Sequence, residues 1–529
     1  MKTALKLSLL LAVAACSGPA AQTTATDDDE FTSLTAAVRT VKFGGTVFVR
    51  DGASDAEILQ AVKHQTQSGL GAFRTADIGI NSRELNNVDP RTFVKKRVTV
   101  VDADVPSDPG KAMMRVQYTY TDKAVLPTTM RKRASISLGL LGANYESQTS
   151  RVLPDCTDND THAREFERSL WYVFNPSLSS CKQAMAAEQK KIDLDRAKLG
   201  GGKVPRSETN RLYVPMTASL TPAVLNTKPV YPEYDQLYAG GVQPGKLVVG
   251  MVNGLMADWA AGEQHDTIDD EGYSMWFEGL REVFKARPMQ LEKTEPAEDF
   301  STLVANGKTF TGLSFDTVMK WELDRTGFPS GTTAAEQRAL RVSASQKVAK
   351  HWFTFSAKVQ VRMGSDAPRP FTIELATYFG AETDPTPHKR AIKNSDVFVY
   401  NGHSYIGYGP LDPSNFGTED FPASYQIMMI NGCVSYNYYE KDYFPKKSGG
   451  SKNLDLVTNG LESWVNESGP AMGRFVASII DGKQESYQNI LKAAQFTDFG
   501  FDWGMDALRI LDGELDNTYD PARTPMVVQ

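Results

Sequence analysis

The sequence predicts an α/β domain in the C-terminal half of the chain, a sheet flanked by helices, preceded by an α+β N-terminal domain. In the C-terminal half, apolar strand-like runs such as Lys246–Val252 alternate with segments of helical pattern, which is typical of an α/β sheet. Residues 201–245 are rich in glycine and proline, which indicates a linker. The N-terminal domain is therefore expected to cover residues 31–200 and the α/β domain residues 246–529.

Local patterns in the N-terminal domain predict strands and two helices. The predicted strands combine β-branched residues with alternation of apolar and polar side chains; they are Thr46–Arg50, Phe93–Val101, Met113–Thr121 and Arg133–Leu141. Ser54 is predicted to cap a helix, because a serine before an apolar-periodic segment is a helix start signal. A second helix is predicted over Lys182–Leu199, ended by glycine.

The C-terminal half carries more apolar strand patterns. Those predicted as strands are Lys246–Val252, Trp352–Met363, Pro370–Gly380, Asp396–Tyr400, 425–431 and Leu454–Thr458. Helical patterns lie at 273–285, 461–480 and 484–494.

The amino terminus has the pattern of an export signal. A charged start precedes the apolar run Leu7–Ala15, which is too short to span a bilayer. The small residues before Cys16 resemble a bacterial lipobox, so residues 1–15 are expected to be a lipoprotein signal peptide and Cys16 to be lipidated. The alternative is an ordinary secretory signal cleaved near Ala15 or Ala21. Both alternatives predict export to the bacterial cell envelope.

The segment after the signal is predicted to tether the protein to a membrane. Residues 16–30 are small and polar, a composition that cannot bury a core and favours a flexible chain. Lipid chains on Cys16 would supply the membrane contact, and Ser17 favours the outer membrane or cell surface. A net charge of −7 without a basic cluster argues against a nucleic-acid partner. No cofactor is predicted.

Two of the four cysteines, Cys156 and Cys181, lie in one polar stretch of the N-terminal domain. In an oxidising compartment they are expected to form a structural disulfide, worth on the order of 3 kcal/mol for a loop of this length. The alternative is two unrelated thiols.

The remaining cysteine, Cys433, ends the apolar run 425–432, and His403 ends the run 396–402. Ligands of an open α/β sheet bind outside the carboxyl ends of its strands. If the two strands are neighbours, the imidazole of His403 can take the proton of the thiol, and the thiolate can attack a carbonyl group. The sequence therefore predicts a cysteine hydrolase with a Cys433–His403 dyad.

A strand ending in Tyr-Asn-Gly-His-Ser, followed by one ending in Ile-Asn-Gly-Cys, resembles the gingipain-type cysteine peptidases of the caspase-like fold. The resemblance covers about residues 370–480. It implies a caspase-like sheet, a protein or peptide substrate, Cys433 as the nucleophile, His403 as general base or acid, and an oxyanion hole formed by the N–H groups of Ser404 and Cys433. Ser404 stands where the family has glycine, which leaves an inactive relative open. Glu374 is the candidate for a carboxylate that orients His403.

Other chemistries fit the sequence less well. Gly402-His403-Ser404 is similar to a serine-hydrolase elbow, but position 406 is isoleucine and no histidine follows Ser404. No His-Glu-x-x-His or Cys-x-x-Cys pattern occurs, so no metal site is predicted. The leading prediction is thus a membrane-anchored cysteine peptidase. The alternative is a non-catalytic surface lipoprotein that retains the fold for binding or envelope structure.

Overall fold

The structure is a computed structural model that describes residues 31–157, 170–222, 226, 228–257, 265–495 and 507–529. The predicted signal peptide, Cys16 and the predicted tether lie outside the described residues. The described part of the chain forms two large sheets with helices packed on them, so the protein is a mixed α/β protein. None of the described helices is both long enough and apolar enough to cross a bilayer.

A seven-stranded, mostly antiparallel sheet organises the N-terminal part. Its strands are β1 Ala36–Arg50, β2 Gly79–Ile80, β3 Val94–Val101, β4 Lys111–Pro127, β5 Ser135–Leu141, β6 Lys203–Pro205 and β7 Tyr213–Pro222. The order is β5-β7-β1-β4-β3-β6, with β2 paired to β4. β1 pairs with β4 along its whole length, and Val41, Phe43 and Val47 of β1 are buried because alternate side chains of a strand point to one face.

In the described part of the N-terminal module, six helices accompany this sheet. They are α1 Asp55–Gln67, α2 Gly69–Arg74, α3 Thr149–Cys156, α4 Leu170–Val173, α5 Ser179–Leu199 and α6 Arg206–Thr209. The predicted cap of α1 is confirmed, since the Ser54 side chain accepts a hydrogen bond from the N–H of Glu57. The predicted disulfide is also confirmed: Cys156 at the end of α3 is bonded to Cys181 in the first turn of α5.

The prediction of a linker over residues 201–245 is wrong. Strands β6 and β7 lie within that segment, yet β6 pairs with β3 and β7 pairs with β1 and β5. Glycine and proline mark tight turns within a sheet as well as linkers, and Gly200 and Gly202 have φ values of 67° and 96° at the turn into β6. We therefore call residues 31–222 the N-terminal module and residues 228–529 the C-terminal module.

A nine-stranded sheet forms the centre of the C-terminal module. Its strands are β8 Lys246–Gly254, β9 Gln290–Glu295, β12 Trp352–Met363, β13 Arg369–Ala381, β14 Val397–Asn401, β15 Gln426–Asn431, β16 Leu454–Asn459, β17 Arg509–Asp512 and β18 Met526–Val528, while β10 Thr302–Ala305 and β11 Lys308–Thr311 form a separate hairpin. The order is β17-β16-β15-β14-β8-β13-β12-β18, with β9 paired to β12. The five central strands, β16 to β13, are parallel, and the edges are antiparallel.

The helices of the C-terminal module are α7 Tyr234–Gly240, α8 Glu271–Ala286, α9 Phe315–Leu323, α10 Ala334–Gln346, α11 Thr386–Lys393, α12 Ser435–Tyr443, α13 Val465–Ile480 and α14 Tyr487–Gln495. Helices α8 and α13 approach each other closely at Gly279 and Gly473. A Cβ at Gly473 would lie only 2.4 Å from the carbonyl oxygen of Gly279. Met251, Val399 and Met429 of the central strands belong to the same core as α8 and α13. The coarse prediction of an α/β domain is confirmed.

The two modules share a core. Thr32 forms a bridge with Leu511 of β17, and one hydrophobic cluster contains Phe73 and Tyr120 of the N-terminal module together with Phe398 and Tyr438 of the C-terminal module. Polar contacts cross the same boundary. The Asn437 side chain, for example, donates to the carbonyl oxygens of Ile80 and Ser82 at 3.0 and 2.6 Å. The N-terminal module is thus packed into the protein rather than linked to it by a flexible segment.

Candidate active site

The two strands that precede His403 and Cys433 are neighbours. β14 and β15 are parallel, and their last residues, Asn401 and Asn431, are register partners. His403 and Cys433 each follow two residues later, at the same edge of the sheet. The backbones of the two loops touch, since a Cβ at Gly432 would lie 3.2 Å from the carbonyl oxygen of Gly402. The predicted adjacency of the strands is confirmed.

The imidazole of His403 turns towards the loop after β8. Its Nε2 lies 2.9 Å from the carbonyl oxygen of Met256, and its ring meets Tyr405 edge-on at 5.8 Å. The hydroxyl of Tyr400 donates to the backbone oxygen of His403 at 2.8 Å. The contact with Met256 therefore directs the imidazole to the β8 side of its strand, and the contacts with Tyr405 and Tyr400 hold the ring and the backbone of His403.

The thiol of Cys433 turns the other way, towards the loop after β16. Its Sγ lies 3.7 Å from the carbonyl oxygen and 3.9 Å from the hydroxyl of Ser463. Burial raises the pKa of the Cys433 thiol, and the carboxylate of Glu462 raises it further, whereas the contacts with Ser463 and the charge of Arg74 oppose the increase. In this arrangement the thiol is held protonated at neutral pH.

His403 and Cys433 therefore have separate partners. The strand order is β8-β14-β15-β16. The side chain of His403, after β14, contacts the loop after β8, and the side chain of Cys433, after β15, contacts the loop after β16. The two side chains therefore point away from each other. Among the hydrogen bonds of the described residues, none joins the imidazole to the thiol. The predicted dyad has the expected strand positions without the expected contact.

Glu374 is not in position to orient His403. It pairs with Val248 near the start of β8, whereas the end of β14 pairs with Asn253. The five residues between these positions (253 − 248) correspond to roughly 17 Å along a strand. Glu374 instead forms an ion pair with Lys246, with Nζ and Oε2 2.7 Å apart. The sequence does not give the order of the strands or the stagger between them, so this separation became visible only in the structure.

Ser404, the residue in place of the family's glycine, has ordinary backbone angles of φ −82° and ψ −12°. It is buried, and its carbonyl oxygen accepts a hydrogen bond from the Tyr439 hydroxyl at 2.6 Å. A serine therefore fits at this position without strain. The proposed use of its N–H in an oxyanion hole stays a prediction.

Strained backbone follows each of the two candidate catalytic residues within three positions. Tyr405 and Ile406 after His403, and Val434 after Cys433, have φ values of 50°, 52° and 53°. The left-handed region is unfavourable for β-branched residues such as isoleucine and valine. Such residues cost about 1–3 kcal/mol each and cluster at functional sites.

The N-terminal module lies beside the thiol, which is half-buried. Arg74 of α2 forms an ion pair with Glu462, with Nη1 and Oε1 2.5 Å apart, and its guanidinium lies 4.8 Å from the ring centroid of Tyr172. Tyr172 is close enough to Cys433 for the thiolate charge to raise the tyrosine pKa, after the larger effect of burial. The module therefore forms one wall of the candidate site.

A line of asparagines lies directly beneath the site. Asn401, Asn431 and Asn459 are the last residues of β14, β15 and β16, and Asn253 is the last but one of the neighbouring parallel strand β8. All four are buried. Each is followed by a glycine. The candidate residues His403 and Cys433 each directly follow an Asn-Gly pair. Repetition of Asn-Gly after four apolar strands was the signal that would have revealed the whole line.

The acidic segment at residues 266–271 has a structural role. No group of histidine, cysteine and acidic residues in the described ranges is arranged to hold a metal ion. Of the acidic residues at 266–271, Asp270 accepts from the N–H of Gly272 at the start of α8, and Asp266 and Asp269 pair with Arg338. These carboxylates are thus already partnered within the protein.

Comparison with known proteins yields no relative for this chain. No family model matches it, and neither does any curated protein or any solved structure. The function of the site is therefore inferred from its residues and their contacts.

Proposed function

We propose that this protein is an exported cysteine peptidase of caspase-like fold, anchored to a membrane through lipidated Cys16, with Cys433 as nucleophile and His403 as general base. The observation that carries the proposal is the position of these residues. Both follow the carboxyl ends of neighbouring parallel strands whose last residues, Asn401 and Asn431, are in register. Ligands of parallel sheets bind at this edge.

The chemistry is acyl transfer to sulfur. The imidazole of His403 takes the thiol proton, and the Cys433 thiolate forms a bond to the carbonyl carbon of the scissile peptide. The N–H groups of Ser404 and Cys433 stabilise the oxyanion. The imidazolium then gives its proton to the leaving amine, and the remaining thioester is hydrolysed by water that His403 deprotonates.

Catalysis requires both side chains to leave their resting partners. His403 exchanges the carbonyl of Met256 for the thiol, and Cys433 leaves Ser463. Hydrogen bonds between catalytic groups are often loose before substrate binds and tighten only in the complex. The raised pKa of the thiol fits this order, because a protonated thiol needs a base at the moment of attack.

A second candidate function is favoured by the residues that pack beside the thiol. Tyr172 and the Arg74–Glu462 ion pair lie beside Cys433, and the carboxylate disfavours the thiolate. These contacts support a non-catalytic surface lipoprotein in which Cys433 is a packed, unreactive side chain. The two candidates differ in whether His403 changes the reactivity of Cys433.

A pair of thiol probes separates the candidates. A library of peptidyl acyloxymethyl ketones reports a working nucleophile and base, whereas iodoacetamide reports only an accessible thiol. The peptidase is expected to label at Cys433 with the ketones, and His403→Ala is expected to abolish that labelling while iodoacetamide labelling continues. His351→Ala is the matched control, because His351 is also partly buried but is bound to Ala349 and Glu298 on another part of the sheet. Ketone labelling that is unaffected by His403→Ala, or absent, would reject the peptidase.

A further inference from the structure

We propose that a hydrogen-bonded ladder of three asparagines, Asn401, Asn431 and Asn459, is the positioning device of this site and sets the relative places of His403 and Cys433. The inference rests on the proposed function. It concerns residues that touch neither substrate nor thiol, and it is carried by the bonds between them.

The ladder is continuous from β14 to β16. The Asn459 side chain donates to Oδ1 of Asn431 at 3.0 Å, and the Asn431 side chain donates to Oδ1 of Asn401 at 2.9 Å. At the end of the line, the Asn401 amide meets Sδ of Met275 in α8 at 3.4 Å. Each strand end is therefore tied to the next by its side chain as well as by its backbone.

Arg509 anchors the ladder at the sheet edge. This buried residue of β17 donates from Nη1 to Oδ1 of both Asn431 and Asn459, at 2.9 and 3.1 Å. Its own carbonyl accepts a hydrogen bond from the Ser33 hydroxyl of the N-terminal module at 2.7 Å. A charged donor strengthens bonds of this kind, so Arg509 strengthens the ladder at Asn431 and Asn459, the ends of β15 and β16.

Every loop of the site leaves the sheet at this line. The loop after β8 brings Met256 to His403, the loop after β14 carries His403, and the loop after β15 carries Cys433. The loop after β16 brings Ser463 to the thiol, and its Leu461 accepts from the N–H of Val434. A displacement of one strand end would therefore move a catalytic group relative to its partners.

The hydrogen-bonded amides fix the alignment of the strand ends more strictly than apolar side chains would. Apolar residues tolerate sliding against one another, whereas a chain of donors and acceptors has one favourable alignment. Satisfied buried polar networks can select a single register, and the loss of a member leaves a buried group unpaired. The strained residues Ile406 and Val434, just beyond the ladder, require such a fixed base.

Asn253 provides an internal control for burial. It is the last but one residue of β8, is the register partner of Asn401, and is fully buried. Neither its amide nitrogen nor its amide oxygen has a hydrogen-bond partner within the described ranges. Asn253 therefore shares the position of the ladder residues but not their bonds.

The test compares Asn401→Leu with Asn253→Leu in the full chain. Leucine keeps the number and branching of the side-chain heavy atoms, and at Asn401 it removes the bond to Asn431 and the contact with Met275. Misplacement of a catalytic group costs on the order of 100-fold in rate. We expect a loss of that size in the rate of Cys433 labelling by the peptidyl ketones for Asn401→Leu, with iodoacetamide labelling retained and Asn253→Leu unchanged. Asn401→Asp keeps an acceptor oxygen for Asn431 and is expected to restore ketone labelling.

Hydrogen exchange supplies a second readout that does not depend on catalysis. Asn401→Leu is expected to increase amide exchange on the order of tenfold in residues 402–404 and 432–434, and Asn253→Leu is expected not to do so. If Asn401→Leu is too unstable to purify, Asn401→Ser takes its place in both measurements. Equal effects of the substitutions at Asn401 and Asn253, or no effect of either, would overturn the positioning role. If the wild-type protein shows no His403-dependent labelling, the peptidase fails, and the exchange pattern alone decides whether the ladder positions the loops.

Discussion

Arg74 and Glu462 form an ion pair that joins the two modules beside the candidate nucleophile, with Nη1 and Oε1 2.5 Å apart. Glu462 precedes Ser463, the residue that Cys433 contacts. Burial raises the pKa of the thiol, the charge of Glu462 raises it further, and the charge of Arg74 opposes the increase. A contact between the modules thus contributes to the electrostatics at Cys433.

Removal of the Glu462 charge is expected to make the thiol more reactive. In Glu462→Gln, the carboxylate that raises the Cys433 pKa is lost while Arg74 stays, so the pKa falls. The pH dependence of iodoacetamide labelling at Cys433 should shift to lower pH. Glu382→Gln removes the carboxylate of an exposed pair with Lys350 and is expected to leave the profile unchanged. A shift to higher pH in Glu462→Gln would contradict the electrostatic assignment.

A methyl group at Gly71 is expected to displace residues 171–174, which we call the cover because Tyr172 lies beside Cys433. A Cβ there would lie 2.7, 2.7 and 2.8 Å from the carbonyl oxygens of Trp171, Tyr172 and Phe174, so Gly71→Ala forces this segment away from α2. Overpacking of this kind costs about 1–3 kcal/mol. Faster iodoacetamide labelling of Cys433 is the expected result. Gly201→Ala, where a Cβ would have no neighbour within 4 Å, is the matched control, and equal labelling of the two variants would count against the cover.

Stability is expected to fall as the pH rises from about 4 to 8. Burial raises the pKa of Asp455 to about 7 and that of Glu514 to about 8, whereas both groups titrate near 4 in the unfolded chain. Between these pH values the folded protein binds more protons than the unfolded chain. Each of the two groups therefore lowers the free energy of unfolding by at most about 1.4 kcal/mol for each unit that the pH rises. Calorimetry should show a falling Tm over this range.

The same measurement on two variants assigns the effect. Asp455→Asn and Glu514→Gln are expected to flatten the profile, because neither amide titrates. Asp455→Asn retains an oxygen for the tyrosine hydroxyls of Tyr425 and Tyr487, which donate to Asp455. A variant profile as steep as that of the wild type would assign the pH dependence to other groups.

Lipidation of Cys16 is expected to decide where the protein resides. Two or more acyl chains give stable anchoring, so the wild-type protein should sediment with membranes and incorporate an alkyne-tagged fatty acid in a bacterial host. Cys16→Ala is expected to abolish both signals, and Cys433→Ala to change neither. Tagged fatty acid that persists in Cys16→Ala would show that another residue is acylated.

The sequence by itself determined the local elements, because their signals lie within a few residues. Neighbouring side chains and backbone preferences determine these elements. Examples are the cap at Ser54, the alternating strand at 113–121 and the apolar runs that end at Asn401 and Asn431. The pairing of Cys156 with Cys181 was also accessible, because both lie in one polar stretch of a chain whose leader predicts export to an oxidising compartment.

Only the tertiary structure decided how these elements meet. Strand stagger put Glu374 far from His403, and long-range pairing took 203–222 into the N-terminal sheet. The directions of His403 and Cys433 follow from Met256 and Ser463, which lie on other strands' loops. Period and propensity are properties of neighbouring residues, whereas register and side-chain partners depend on contacts between distant parts of the chain.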